Sequence, residues 1–138
     1  MEIEYALLAD HTEIMGGKLY LMGGGWDVTN VSDTPVQVRV GIAMGLRFGW
    51  GEAGQPAPVT VVIEDDDGQE FVRLDATLQA NRPPELPAGV EQLSQLAANV
   101  AFTAPKTGGY RVRIVARLGD EAIERRLPFR VMKTASPA

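Results

Sequence analysis

The sequence predicts an all-β fold, an antiparallel β-sandwich of two sheets that is immunoglobulin-like and has eight or nine strands with little or no helix. Three observations support this prediction. Apolar residues recur at every second position through most of the chain, glycine-rich and Asp-Gly turns separate the alternating segments, and helical spacing is confined to one short segment. A closed β-barrel is the alternative architecture.

The chain length of 138 residues is that of one ordinary domain. Hydrophobic residues make up 45% of the chain and charged residues 22%, close to average globular usage, so disorder is not indicated. We expect residues 1–133 to form a single β-sandwich domain and residues 134–138 to form a flexible C-terminal tail, because chain ends fray unless they are tied down.

The first three predicted strands are short and punctuated by glycine. We expect them over 5–9, 18–22 and 26–31, with turns at Gly16-Gly17 and at Gly23-Gly24-Gly25. The three-glycine run would let backbone N–H groups approach an anion, but it lacks the spacing of a dinucleotide or Walker loop. A bulge or a tight corner is therefore the favoured interpretation.

The clearest strand covers Pro35 to Phe48, where every even position from Val36 onward is apolar. Its other face carries the small residues Gly41, Ala43 and Gly45. Glycine weakens a strand interior by roughly 0.5–1 kcal/mol relative to alanine, so its repeated use predicts that something approaches this face closely. The occupant is either a loop or the N-terminal segment of the same chain, or a second molecule at a subunit interface.

Two hairpins are predicted in the second half of the chain. Apolar alternation over 59–63 and 72–80 flanks the turn Asp65-Asp66-Asp67-Gly68, and Asp-Gly between such segments is a strong hairpin signal. A second hairpin joins strands at 110–118 and 123–132 across a Gly-Asp-Glu turn, in which glycine supplies a positive φ.

Three further features refine this picture. The segment 95–103 alternates and is predicted as a strand, while helical spacing just before it permits a single helical turn. Tyr110 follows a Gly-Gly pair in the pattern of a tyrosine corner, where the hydroxyl bonds back into the preceding loop. Pro128 indicates that its strand lies at a sheet edge.

The residue counts exclude most catalytic chemistry. The chain has no cysteine, so it can form no disulfide, thiolate zinc site or iron–sulfur cluster, and its single histidine, His11, cannot supply a multi-histidine metal site. His11 beside Asp10 and Glu13 is more typical of a loop residue than of an acid/base group. We expect no enzymatic activity and no cofactor; a carboxylate-based hydrolase is the third-ranked function.

The charge distribution is uneven. Residues 1–70 hold three Lys/Arg against twelve Asp/Glu, and residues 71–138 hold ten against six, so the halves carry −9 and +4. Such a division can make the halves attract each other, within one chain or between chains. No basic cluster extends beyond Arg111, Arg113 and Arg117, so we expect no nucleic-acid binding. The absence of a long apolar run and the acidic N-terminus predict no membrane association and a cytoplasmic location.

Two candidate ligand sites are predicted. The carboxylates of Asp65, Asp66 and Asp67 offer oxygen ligands for calcium, but the spacing of an EF-hand-like loop fails at Ala76, and a solvated hairpin turn is the favoured interpretation. Trp26 and Trp50, with Arg47, offer an aromatic platform for a sugar or a peptide, whereas core or interface packing is the competing interpretation.

Several segments resemble an uncharacterised bacterial family of small all-β proteins, a domain of unknown function. The resemblance lies in Leu7-Leu8-Ala9-Asp10, Gly17-Lys18-Leu19-Tyr20-Leu21-Met22-Gly23-Gly24-Gly25-Trp26-Asp27, Arg82-Pro83-Pro84, Asn99, Gly109-Tyr110 and Phe129-Arg130-Val131. It implies a small bacterial domain and carries over no site.

The small-residue face, the charge asymmetry and the scarcity of catalytic groups together favour contact over catalysis. We therefore expect a non-enzymatic interaction or assembly module that self-associates, as in a homodimer, or binds a protein partner through a strand face or edge. A small-ligand binder for calcium or carbohydrate is the alternative.

Overall fold

Nine strands form the protein in a computed structural model that describes residues 1–134. The strands are β1 (Glu2–Met15), β2 (Lys18–Gly24), β3 (Val28–Val31), β4 (Val36–Phe48), β5 (Ala57–Asp65), β6 (Glu70–Leu78), β7 (Gln92–Ala104), β8 (Gly108–Leu118) and β9 (Glu121–Lys133). A single 3-10 turn spans Trp50–Glu52. The all-β prediction with eight or nine strands is confirmed, and no helix of the described residues is long and apolar enough to cross a membrane.

Two sheets form the sandwich. The four-stranded sheet has the order β2-β1-β4-β7, and the five-stranded sheet has the order β3-β9-β8-β5-β6. Neighbouring strands are antiparallel with one exception, because β3 runs parallel to β9 from Val28 beside Arg130 to Val31 beside Lys133. The exception arises because β3 reaches β9 by crossing from the other sheet and not through a hairpin.

The core lies between the inner faces of the two sheets. The even-numbered apolar side chains of β4 from Val38 onward are buried there, as their alternation predicts, and they face apolar side chains of β5, β8 and β9. Tyr110, Phe48 and Phe129 are the largest fully buried side chains. The Tyr110 hydroxyl donates to Lys106 O (2.6 Å), which is the hydrogen bond into the preceding loop that the sequence predicts.

Several strand limits differ from the sequence prediction. β1 extends to Met15, because beyond its pairing with β4 it continues into the hairpin with β2. The segment before β7 forms turns and no helical turn. Pro83, Pro84 and Pro87 lack a backbone N–H and disfavour helical conformation in the residues that precede them. Of the predicted tail, residues 135–138 lie outside the described residues, and Thr134 donates its N–H to Val31 O (2.8 Å).

Pro128 occupies a stretch of β9 that has only one neighbouring strand. β9 lies between β3 and β8, so the prediction of an edge strand is wrong. It pairs with β8 from Glu121 to Val131 but with β3 only from Arg130 onward, and the missing N–H of Pro128 therefore interrupts no second ladder.

The β1–β2 hairpin, residues 10–24, leaves the plane of the four-stranded sheet. β1 pairs with β4 up to Ala9 and with β2 from Ala9 onward. Beyond Ala9 the hairpin folds back over the outer face of β4 and β7, the face turned away from the five-stranded sheet. Thr12 lies within hydrogen-bonding distance of Ala98 O (3.3 Å), and Gly17 O accepts from Gln95 Nε2 (3.2 Å).

Candidate interaction surface

The small-residue face of β4 is covered by the same chain. Gly41, Ala43 and Gly45 are buried. A Cβ atom placed on Gly45 would lie 2.5 Å from Tyr5 Cε1, and one placed on Gly41 would lie 2.9 Å from Ala9 O. The close approach that glycine predicts is thus made by the N-terminal segment. A second molecule that approaches this face meets the hairpin and not the three small residues.

Polar side chains of β7 hold the hairpin in this position. Asn99 accepts from the Thr12 N–H at Oδ1 (2.9 Å) and donates from Nδ2 to Thr12 O (2.7 Å). These two bonds satisfy the backbone of a buried residue in the manner of a strand pair. Gln95 bonds to the tip of the hairpin at Gly17 and accepts from the Tyr5 hydroxyl, whose pKa is raised by burial.

Sequence reasoning missed Asn99 as a structural contact. The only signal was an amide in the middle of an apolar strand, with Gly41 directly across the strand pair. Glycine at that position leaves room for the Asn99 side chain to reach β1, since a Cβ on Gly41 would lie 3.2 Å from Asn99 Oδ1.

The outward face of the hairpin exposes large apolar side chains. Strand pairing places His11 beside Met22, Glu13 beside Tyr20 and Met15 beside Lys18, so these six residues share the face that points away from the sheet. Met22 is 72% exposed, Met15 56% and Tyr20 49%.

Five of these six side chains, together with Leu21, line a groove of about 280 Å³. Its lining residues are His11, Glu13, Met15, Tyr20, Leu21 and Met22. We call this surface the hairpin face. It combines flexible thioethers and one aromatic ring with charged groups at the rim, which is a composition typical of adaptable protein-binding surfaces.

The predicted aromatic platform does not form among the described residues. Trp26 is partly buried beside Leu8 and Pro128 and packs edge-to-face on Phe129, with ring centroids 5.9 Å apart. Trp50 follows the end of β4, where the guanidinium carbon of Arg82 lies 4.2 Å from its ring centroid.

Arg47, the third predicted platform residue, forms an ion pair with a glutamate and does not stack on an indole. Its Nη2 lies 2.6 Å from Glu4 Oε1 in an ion pair across β1 and β4. The indole N–H of Trp26 is buried with no hydrogen-bond partner among the described residues, so packing and not polar recognition fixes that ring.

The acidic turn uses its carboxylates to build the hairpin. Asp65 Oδ1 accepts the backbone N–H groups of Asp67 and Gln69, both at 2.9 Å, and the Asp66 carboxylate packs on the backbone of Gly109. Within residues 1–134, no three His, Cys, Asp or Glu side chains are arranged to hold a metal ion. The turn instead lines a mixed-charge pocket of about 330 Å³ together with Lys106 and Arg130.

Glu64, just before this turn, is a buried carboxylate that the sequence did not single out. Its Oε1 accepts from Arg111 Nε (2.7 Å) and Arg113 Nε (3.2 Å). The hydrogen bond from Arg111 is the main cause that lowers the pKa of Glu64, and the charges of both arginines act in the same direction. The alternation of arginines on the wet face of β8 was visible in the sequence, but their partner on β5 was not.

Comparison with known proteins gives a family and no activity. The chain is similar to a family 123 glycoside hydrolase from Clostridium perfringens, with 13% identity, a TM-score of 0.39, and coverage of 96% of this chain and 28% of that one. It thus spans little more than a quarter of that protein, and a likeness this distant transfers no function. A search of curated proteins found no match.

The model of a family of unknown function matches residues 4–132. This match includes all or most of each of the nine strands and agrees with the resemblance to an uncharacterised family. The chain belongs to that family of unknown function, DUF6941.

Proposed function

We propose that the protein is a non-enzymatic interaction module that binds a partner protein through the hairpin face. The observation that carries this proposal is the exposure of Met15, Tyr20 and Met22 on one side of a hairpin whose other side is docked on the sheet. Contiguous exposed apolar surface on a soluble domain is typical of a binding site. The hairpin is also rigidly placed by the bonds to Asn99 and Gln95, which lowers the entropic cost of binding.

The chemistry of the face defines the partner. Methionine side chains adapt to apolar groups of different shape, and Tyr20 supplies a flat ring with a polar end. Glu13 and Lys18 place one acidic and one basic group on this face. The face therefore suits a protein segment that presents apolar side chains flanked by charges of both signs.

Two other functions have weaker support. A carbohydrate site would need the two indoles to meet, and each has its own packing partner. A calcium site at Asp65–Asp67 would compete with the turn hydrogen bonds that Asp65 already makes. The interaction module needs no such rearrangement.

The proposal is tested by site-specific photocrosslinking. A photoreactive amino acid replaces Met22 on the hairpin face, and a matched variant carries it at Thr77, which is exposed on β6 of the other sheet. We expect a single protein to be crosslinked from position 22 in cells that make the chain, and not from position 77. Equal crosslinking from both positions, or none from position 22, would overturn the proposal.

A further inference from the structure

β7 forms an open edge of the four-stranded sheet. Its other side pairs with β4 over thirteen consecutive positions, from Val36 beside Ala104 to Phe48 beside Gln92, with no shift in register. Within the described residues, no backbone–backbone hydrogen bond outside this ladder involves β7, and Thr12 Oγ1 is the side-chain donor to its backbone, at Ala98 O (3.3 Å). The residues 94–100 of β7 are all at least partly exposed, whereas the β4 residues 40–46 opposite them are all buried.

This edge lacks the features that normally prevent strand pairing. The thirteen residues of β7 include no charged residue, no proline and no glycine. The remaining edge strands of the two sheets differ: β3 has only four residues, β2 begins with Lys18 and ends in two glycines, and β6 carries Glu70, Arg73 and Asp75. Charged residues, short length and irregular backbone are the usual protection against edge-to-edge association.

The sequence of β7 is compatible with itself in antiparallel pairing. About a two-fold axis at Ala98, Leu96 of one copy lies opposite Val100 of the other, and Ala97 lies opposite Asn99. Leu96 and Val100 pack against the core but are only partly buried in one chain. Pairing would bring them together and would place no two like charges opposite each other.

From this geometry we infer that two copies of the chain join edge to edge through β7 and form one continuous antiparallel sheet across a two-fold axis at Ala98. The occupant of the edge is a second copy because a symmetric pair satisfies the same row of backbone groups on both chains at once. This contact is separate from the hairpin face, so dimer formation and partner binding are independent properties.

Cysteine crosslinking tests the dimer and its register, because the natural chain has no cysteine. In the inferred pair, the two copies of Ala98 face each other at a Cα separation of about 4.5–5.5 Å, which a disulfide spans. The two copies of Ala101 are about 20 Å apart, although Ala101 is the more exposed residue. Ala98→Cys should therefore form a disulfide-linked dimer under mild oxidation at least tenfold faster than Ala101→Cys.

The unmodified chain provides a second test that does not depend on the variants. Sedimentation at chain concentrations between 1 µM and 1 mM should show a reversible monomer–dimer equilibrium. This range covers about three decades of dissociation constant. A strict monomer over this range, or equal crosslinking by the two cysteine variants, would overturn the inference. Crosslinking of Ala101→Cys alone would show a different register and would overturn the axis at Ala98.

Discussion

Replacing Asn99 with alanine tests whether its amide holds the hairpin on the sheet. The side chain bonds to both the N–H and the C=O of Thr12, at 2.9 and 2.7 Å, and Thr12 is buried. In the alanine variant, these two backbone groups lose their partner while the apolar surroundings remain. The variant therefore isolates the contact between β7 and the hairpin.

The expected loss follows from the two unpaired groups. A buried backbone group left without a partner costs about 1–3 kcal/mol, and two groups lose their partner here. Because Asn99 is exposed, water replaces part of the lost hydrogen bonding, so we expect a total loss of about 2–3 kcal/mol. The free energy of unfolding in urea should fall by that amount. Backbone amides of residues 10–24 should also exchange with deuterium faster, because the hairpin undocks without unfolding the rest.

Thr103→Ala is the matched control for Asn99→Ala. Thr103 is exposed on the same strand, so its truncation should change the free energy of unfolding by less than about 0.5 kcal/mol. If Asn99→Ala matched this control in both stability and exchange of the hairpin amides, the docking role of Asn99 would be refuted.

Two further predictions concern the covered face and the buried carboxylate. Gly45→Ala places a Cβ atom 2.5 Å from Tyr5 Cε1, so it should lower the free energy of unfolding by about 1–3 kcal/mol. Gly51→Ala is the control, because its Cβ would have no atom within 4 Å, and it should lower stability far less. Thermal unfolding of the two variants makes the comparison. The ordinary pKa of a glutamate side chain is 4.5, and the pKa of Glu64 in the folded chain is lower. This difference stabilises the fold at pH values above 4.5, and the stabilisation is lost as the pH falls through the folded-state pKa. The stability difference between the natural chain and Glu64→Gln should therefore shrink as the pH falls below 4.5 in urea titrations, and a difference independent of pH would contradict the role of the Arg111 pair.

The sequence predicted the features that depend on near neighbours in the chain. Alternation with period two located the inner face of β4, and Asp-Gly and Gly-Asp located the two hairpin turns. The hydrogen bond from Tyr110 to Lys106 was also predictable, because both residues lie in one local motif. Each of these features follows from side-chain periodicity or from turn chemistry alone.

The bend of β1 could not be predicted from the sequence, and the reason is physical. Thr12 and Asn99 are far apart in the chain, so their contact leaves no local pattern. Gly41 and Gly45 indicated a close approach, but glycine shows only that space is needed and not which segment fills it. The hairpin face was hidden for the same reason: its alternating side chains at 18–22 read as an ordinary half-buried strand until the fold showed which side lay outward.

The affinity of the crosslinked partner for hairpin-face variants tests the central claim most directly. Full burial of a methionine side chain contributes about 1.5–3 kcal/mol, and a lysine at the same position adds a charge to an apolar contact. Calorimetric titration with the purified partner should therefore show that Met22→Lys weakens binding at least tenfold, while Thr77→Lys leaves the affinity unchanged. Equal affinities for Met22→Lys and the natural chain would contradict a binding role for the hairpin face.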